Sequence, residues 1–219
     1  MKKLLSICIN VVLFTIVTIP DRAQSQVSRP YLGQNPPGSS AVVFAPGIVN
    51  SGMFTRDLAI SPDGNEIYFG AGEGDYENGA IWMTREQADG WTRPVKAPFA
   101  TDDRWKYIEP AISPDGQTFF FVSDRPESGE SQPRPASIWR MHRQGEGRSE
   151  PELLSATINN GSPTYFPSVT LDGSLYFTRR LDSGREVIVR SQMRDGRFSE
   201  PEVLPDEVNG GSGHYNAYV

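Results

Sequence analysis

The chain has 219 residues, a net charge of −6, 37% hydrophobic residues, 21 glycines, 18 prolines, two histidines and one cysteine. That composition marks a globular, turn-rich chain, and the acidic balance argues against nucleic acid or anionic membrane as a partner. The single cysteine, Cys8, lies in the N-terminal segment, so the rest of the chain has no disulfide, thiol nucleophile or cysteine-based zinc site.

Lys2-Lys3 precede an apolar run from Leu4 to Ile19, and Ala23-Gln24-Ser25 follows with small residues where a signal peptidase reads. Residues 1–25 are therefore expected to be a secretory signal peptide. The run is about 16 residues long and carries Asn10, Thr15 and Thr18, which is short for a bilayer-spanning helix. Bulky Ile7 before Cys8 disfavours a lipid-anchored cysteine. Removing the leader leaves 18 basic against 26 acidic residues and no expected membrane span. The expected destination is periplasmic or secreted.

Residues 26–40, with Pro30, Pro36, Pro37 and Gly38, read as an extended linker. Ala41–Pro46 reads as a short strand, followed by Gly47-Ile48-Val49-Asn50. The same pairing recurs where Pro151–Leu154 runs into Ile158-Asn159, and where Pro201–Leu204 runs into Val208-Asn209. The strand at 41–46 thus resembles the end of a repeat whose beginning lies elsewhere.

One phrase then occurs three times: Ala59-Ile60-Ser61-Pro62-Asp63-Gly64, Ala111-Ile112-Ser113-Pro114-Asp115-Gly116 and Ser168-Val169-Thr170-Leu171-Asp172-Gly173. The spacings of 52 and 57 residues fall in the range of propellers, solenoids and arrays. Each copy joins two alternating apolar runs by a tight turn. Proline presets φ for the turn, Asp bonds its backbone, and Gly takes the left-handed position. Asp63, Gly64, Asp115, Gly116, Asp172 and Gly173 are accordingly read as structural.

Each phrase opens a unit of four strands. In the second unit these are Ala111–Ser113, Thr118–Ser123, Ser137–Met141 and Pro151–Leu154. The matching third strands are Ala80–Thr84 and Glu186–Ser191, and the first unit's outer strand is placed at Thr92–Lys96. Four antiparallel strands in about 50 residues, repeated, predict an all-β fold of propeller blades. Blade 1 is expected at about 56–97, blade 2 at 109–155, blade 3 at 166–204, and the start of a fourth at 215–219. Three complete blades with one orphan strand make an incomplete ring; the sequence reads as a fragment of a propeller.

The Ser-Pro-Asp-Gly phrase, the aromatic strand after it and the Ile-Trp third strand of residues 81–82 and 138–139 resemble the TolB-type, WD40-like β-propeller repeats of bacterial envelope and secreted proteins. The resemblance covers Ala41 to Val219. It implies a scaffold that binds partners or ligands and in some proteins accompanies a catalytic domain. The Trp-Asp pair that names WD repeats is absent.

In such a propeller the channel face collects Arg56, Asp57, Tyr107, Glu109, Tyr165, Phe166, His214, Tyr215 and Asn216, just before successive inner strands. The loops between second and third strands add Glu73, Asp75, Asp124, Arg125, Arg179 and Arg180. An arginine fork, a carboxylate and tyrosine faces suit a sugar, peptide or carboxylate ligand. The same residues also read as packing between blades. His142 lies among Arg140, Arg143 and Arg148 on a solvated edge. Ser212 lacks the Gly-x-Ser-x-Gly elbow, and the segment from Asp75 to Gly79 departs from a calcium loop at its fifth position. No catalytic, metal or cofactor residues are assigned. Asp57 with Glu109 could form a carboxylate pair of glycosidase type. Two functions stay open: a binding scaffold for a protein, small-molecule or carbohydrate ligand, or the propeller core of a carbohydrate-active or peptide-processing hydrolase.

Overall fold

The computed structural model describes residues 32, 34–35, 38–72, 79–88, 90–127 and 129–219. The segment read as a signal peptide, most of the expected linker, Glu73, Asp75 and the calcium-like segment up to Asn78 lie outside them.

Among the described residues three four-stranded antiparallel sheets follow one another, with one one-turn α-helix, α1 (Asp206–Asn209). The first contains β1 (Phe54–Ile60), β2 (Glu66–Gly72), β3 (Ala80–Gln87) and the outer strand β5 (Val95–Lys96). β4 (Gly90–Trp91) folds back on the end of β3. The second repeats this plan with β6 (Tyr107–Ile112), β7 (Thr118–Ser123), β8 (Ser137–Gln144), β9 (Gly147–Arg148) and β10 (Glu152–Leu153). The third has β11 (Thr164–Val169), β12 (Leu175–Arg180), β13 (Glu186–Ser191) and β16 (Glu202–Val203). A separate ribbon of β14 (Met193–Arg194) and β15 (Arg197–Phe198) sits beside it. β1 lies beside β6, and β6 beside β11, so these are the innermost strands of three propeller blades.

The repeated phrase makes the same turn each time. Ser61 Oγ and Ser113 Oγ donate to the carboxylates of Asp63 and Asp115, both at 2.5 Å, and Thr170 Oγ1 donates to Asp172. Those carboxylates also accept the N–H of Asn65, Gln117 and Ser174 at 3.1, 2.9 and 3.0 Å. The hydroxyl and amide donors hold all three acids below the usual carboxylate range. Gly64, Gly116 and Gly173 adopt φ of 75°, 72° and 79°, which a Cβ resists.

Strand alternation explains the packing. On β7, Phe119 and Phe121 face the first sheet while Phe120 and Val122 face the third, so the strand is apolar throughout its four central positions. The seam between first and second sheets gathers Tyr68, Ile81, Phe119, Phe121 and Trp139. The seam between second and third gathers Phe120, Ile138, Leu175, Phe177 and Val189.

Two asparagines stitch the blades from outside. Asn159 Oδ1 accepts the N–H of Ile138, and its Nδ2 donates to the carbonyls of Ile138 and Leu154 (2.9, 2.9 and 3.0 Å). Asn209 does the same with Ile188 and Leu204. Asn50 makes the intraloop bond alone among the described residues, Nδ2 donating to Phe44 O at 2.6 Å. Residues 41–46 form no strand apart from an isolated bridge between Pro46 and Asn50. Val42 and Val43 are exposed, and the following residues Ala45 and Val49 pack on Ile67 and Phe69 of the first blade. The strand expected at 41–46 is therefore not formed among the described residues; the segment is a loop whose Ala45 and Val49 pack on the first blade.

Candidate ligand-binding site at the channel

Each innermost strand carries a β-bulge. The register slips between Arg56 and Leu58, between Ile108 and Ala111, and between Tyr165 and Ser168. At each slip one residue takes a left-handed backbone: Asp57 (φ 55°), Glu109 (φ 55°) and Phe166 (φ 51°). All three lie four residues before the Ser or Thr that opens the turn. Asn216 (φ 62°) occupies the matching place on the segment after the third blade. A non-glycine residue in this conformation costs about 1–3 kcal/mol and persists only where its surroundings hold it. Pro110 and Pro167 follow two of the bulges, where the broken ladder needs no N–H.

The four residues line one cavity of about 640 Å³. It runs between the three inner strands, from these bulges to Pro62 and Pro114 at the turn end, and Ala217–Val219 closes one side. Val219 N–H donates to Ser168 Oγ at 3.1 Å, which fixes that segment. Arg56 pairs with Asp57 at 2.8 Å and lies over the Phe166 ring, 5.6 Å from its centroid. Tyr215 stacks on the same ring at 6.1 Å. Arg180 pairs with Glu186 at 2.7 Å and sits 6.0 Å from the Tyr165 ring.

Glu109 is strongly perturbed. It is 5% exposed, and its Oε2 accepts the Phe166 N–H at 2.6 Å. Burial pushes its carboxyl up to about 8; the Phe166 N–H opposes this, Asp57 raises it further, Arg56 lowers it, and Glu186 adds to the rise. Tyr165 is also raised, chiefly by burial.

The structure therefore brings Arg56, Asp57, Glu109, Tyr165 and Tyr215 together around Phe166. His214 sits at the edge: its N–H donates to Glu186 O at 3.1 Å, and its Nε2 accepts the Gly211 N–H at 2.7 Å. Three other residues read as channel-facing are elsewhere. Tyr107 is 2% exposed and packs on Phe99 and Phe121 in the first seam, because strand alternation turns it away from the channel. Arg125 lies over the Trp139 ring at 5.0 Å in a cleft beside β10. Arg179 is half-buried over Phe177 and donates to the carbonyls of Thr157 and Ile158, so it ties the third blade to the preceding loop. Glu186 escaped the sequence reading. Its register position holds Gly79 and Ala136 in the other blades, whose carbonyls accept the same inter-blade N–H, so an acid there is the odd residue of the repeat.

Among the described residues no group of three His, Cys, Asp or Glu side chains could hold a metal, and no helix is long and apolar enough to cross a membrane.

No protein-family model and no curated protein match this chain. Solved structures with a similar course include TolB from Acinetobacter baumannii, at 19% identity and TM-score 0.42, covering 67% of this chain and 32% of that one. The putative TolB from Agrobacterium tumefaciens follows at 20% identity and TM-score 0.46, covering 70% and 50%. A post-proline cleaving enzyme from Rickettsia typhi stands at 15% identity and TM-score 0.43, covering 69% and 21%. The chain matches half or less of the length of each of these proteins. These values carry no inference beyond what the three sheets already establish.

Proposed function

We propose that this chain is a propeller binding scaffold, carried to the periplasm or outside by residues 1–25, that takes a protein, small-molecule or carbohydrate ligand at the channel. One observation carries the reading. Four equivalent, strained positions present Asp57, Glu109, Phe166 and Asn216 to one cavity. Strained non-glycine backbone of this kind concentrates at binding sites. Phe166 and Tyr215 offer flat faces, and Arg56 and Asp57 offer donors and acceptors, the mixture that small-ligand clefts use.

The test is a binding survey of the chain against soluble glycans and short peptides by calorimetry. Phe166→Ala and Tyr215→Ala are expected to weaken any saturable binding at least about tenfold, since each removes a stacking face. Arg125→Ala, in the side cleft, is expected to leave it unchanged. Binding that ignores Phe166 and Tyr215 would sink the reading.

The hydrolase reading has its own support. Glu109 is raised by burial, and the charge of Asp57 contributes to that rise, which is how a proton-donating acid is kept beside a second carboxylate. It requires turnover of aryl glycosides that Glu109→Gln abolishes; a chain that binds without turnover belongs to the scaffold reading.

A further inference from the structure

The ion pairs around the channel are unequal. Asp57 is matched by Arg56 and Glu186 by Arg180, whereas Glu109 has no ion-pair partner among the described residues. Its Oε2 accepts the Phe166 N–H, and Oε1 makes no hydrogen bond among the described residues. Glu109 is only 5% exposed and lines the cavity, and this second oxygen remains accessible there, an acceptor open to a donor that enters. The surrounding groups give that donor its sign. Asp57 and Arg56 come from β1, and Glu186, Arg180 and Tyr165 from the third blade. Once Glu109 ionises, these described residues hold three carboxylates against two guanidinium groups, so a positive charge is what favours that ionisation. The rings of Phe166 and Tyr215 stand beside them, and aromatic faces attract cations.

We propose that the channel receives a cationic group on a short aliphatic stem, a primary ammonium such as a lysine side chain of an extended peptide, with Glu109 Oε1 as its principal acceptor. This rests on the channel being a binding site and names its ligand class. The ammonium brings three donors and one positive charge, so it satisfies the open oxygen and balances the third carboxylate. Entry of the cation also releases a proton, because Glu109 near pH 7 is held mostly protonated by burial and by Asp57 and Glu186. The proton leaves to solvent as the ammonium takes its place.

The probes are acetyl-Gly-Lys-Gly-amide and its norleucine counterpart, which has the same stem and no charge. Calorimetry at pH 6.5, 7.5 and 9, in two buffers of different ionisation enthalpy, is expected to show three things. The lysine peptide binds at least about tenfold tighter than the norleucine peptide. Its affinity rises about tenfold or more with pH, and binding at pH 7.5 releases a proton to the buffer. Glu109→Gln, which keeps an acceptor for the Phe166 N–H, is expected to remove both the proton release and the pH dependence, with thermal unfolding verifying that it folds. Equal binding of the two peptides, affinity that falls with pH, or an unchanged pH profile in Glu109→Gln would each overturn the proposal. If neither peptide binds but an uncharged glycan does so through Phe166 and Tyr215, the cation is wrong and the scaffold reading stands.

Discussion

The two seams between blades are built from different chemistry although the same strand, β7, supplies both. The first is aromatic and charged. Tyr68 and Phe119 meet at 4.6 Å, Phe99 packs on Phe121 at 4.9 Å, and buried Glu66 binds Arg85, Arg143 and Arg148 at 3.1, 2.9 and 3.4 Å. Arg143 and Arg148 come from the second blade and Glu66 from the first, so one carboxylate joins two sheets. Arg148 is buried against the Tyr68 and Phe119 rings. The second seam is aliphatic, from Ile138, Val169, Leu175, Val187 and Val189 around Phe177. Its carboxyl-to-backbone link is Glu109 to the Phe166 N–H. A repeat can thus conserve turn and strand plan while its interfaces use opposite means of adhesion, because only the turn geometry is dictated by the repeated phrase.

The comparison breaks most readily at Glu66. Glu66→Ala strands three arginines, one of them almost fully buried, and is expected to cost about 4–5 kcal/mol. Chemical denaturation with urea measures it, and the loss should depend on salt. Phe177→Ala in the second seam should cost about 3–4 kcal/mol through lost burial and a cavity, with no salt dependence. Similar salt responses in the two variants would dissolve the distinction between the seams.

Acidity separates the seams further. Glu109 has a folded pKa raised above its unfolded value, so the fold binds the extra proton between about pH 4.5 and about pH 8. Its contribution to stability is full below pH 4.5 and is lost as pH rises through 8. Between pH 6 and 9 the chain should lose about 3 kcal/mol, read from urea midpoints, and Glu109→Gln should flatten that slope. The turn acids Asp63, Asp115 and Asp172 are lowered, so their contribution falls away only in acid and leaves this window untouched.

The smallest effects compare equivalent asparagines. Asn159→Ala removes bonds to Ile138 and Leu154 in a buried setting and should cost about 2 kcal/mol. Asn50→Ala, exposed and with one bond, should cost less than about 0.5 kcal/mol.

The fold was legible because the turn signals are local. Ser-Pro-Asp-Gly needs no partner to declare a hairpin, and the alternation of Ile67 to Phe69 or Phe119 to Val122 follows from burial on two faces. The bulges were not legible in the same way. Glu109-Pro110 and Phe166-Pro167 sit at the position of Asp57, but a left-handed Glu or Phe has no residue signature of the kind glycine supplies. The site was partly readable for a related reason. Arg56, Asp57 and Glu109 were placed by their distance before the turn, whereas Arg125 stands just past the end of β7 and Arg179 near the end of β12, where the side chain turns onto the Trp139 or Phe177 ring. Tyr107 was lost by one step of strand alternation.

The asparagine stitches also carry a chemical clock. Asn209 precedes Gly210, the pairing in which a flexible backbone lets the next amide nitrogen attack the side chain and convert asparagine to aspartate. Here the amide is engaged at Ile188 and Leu204 and the residue is 1% exposed, so the attack is held off while the third blade stays folded. Conversion would replace two donated hydrogens by a carboxylate facing the carbonyls of Ile188 and Leu204, and repulsion would then keep the blade from closing again. A single excursion of that loop could thus leave a permanent mark, and the mass shift at Asn209 would record how often the third blade has opened.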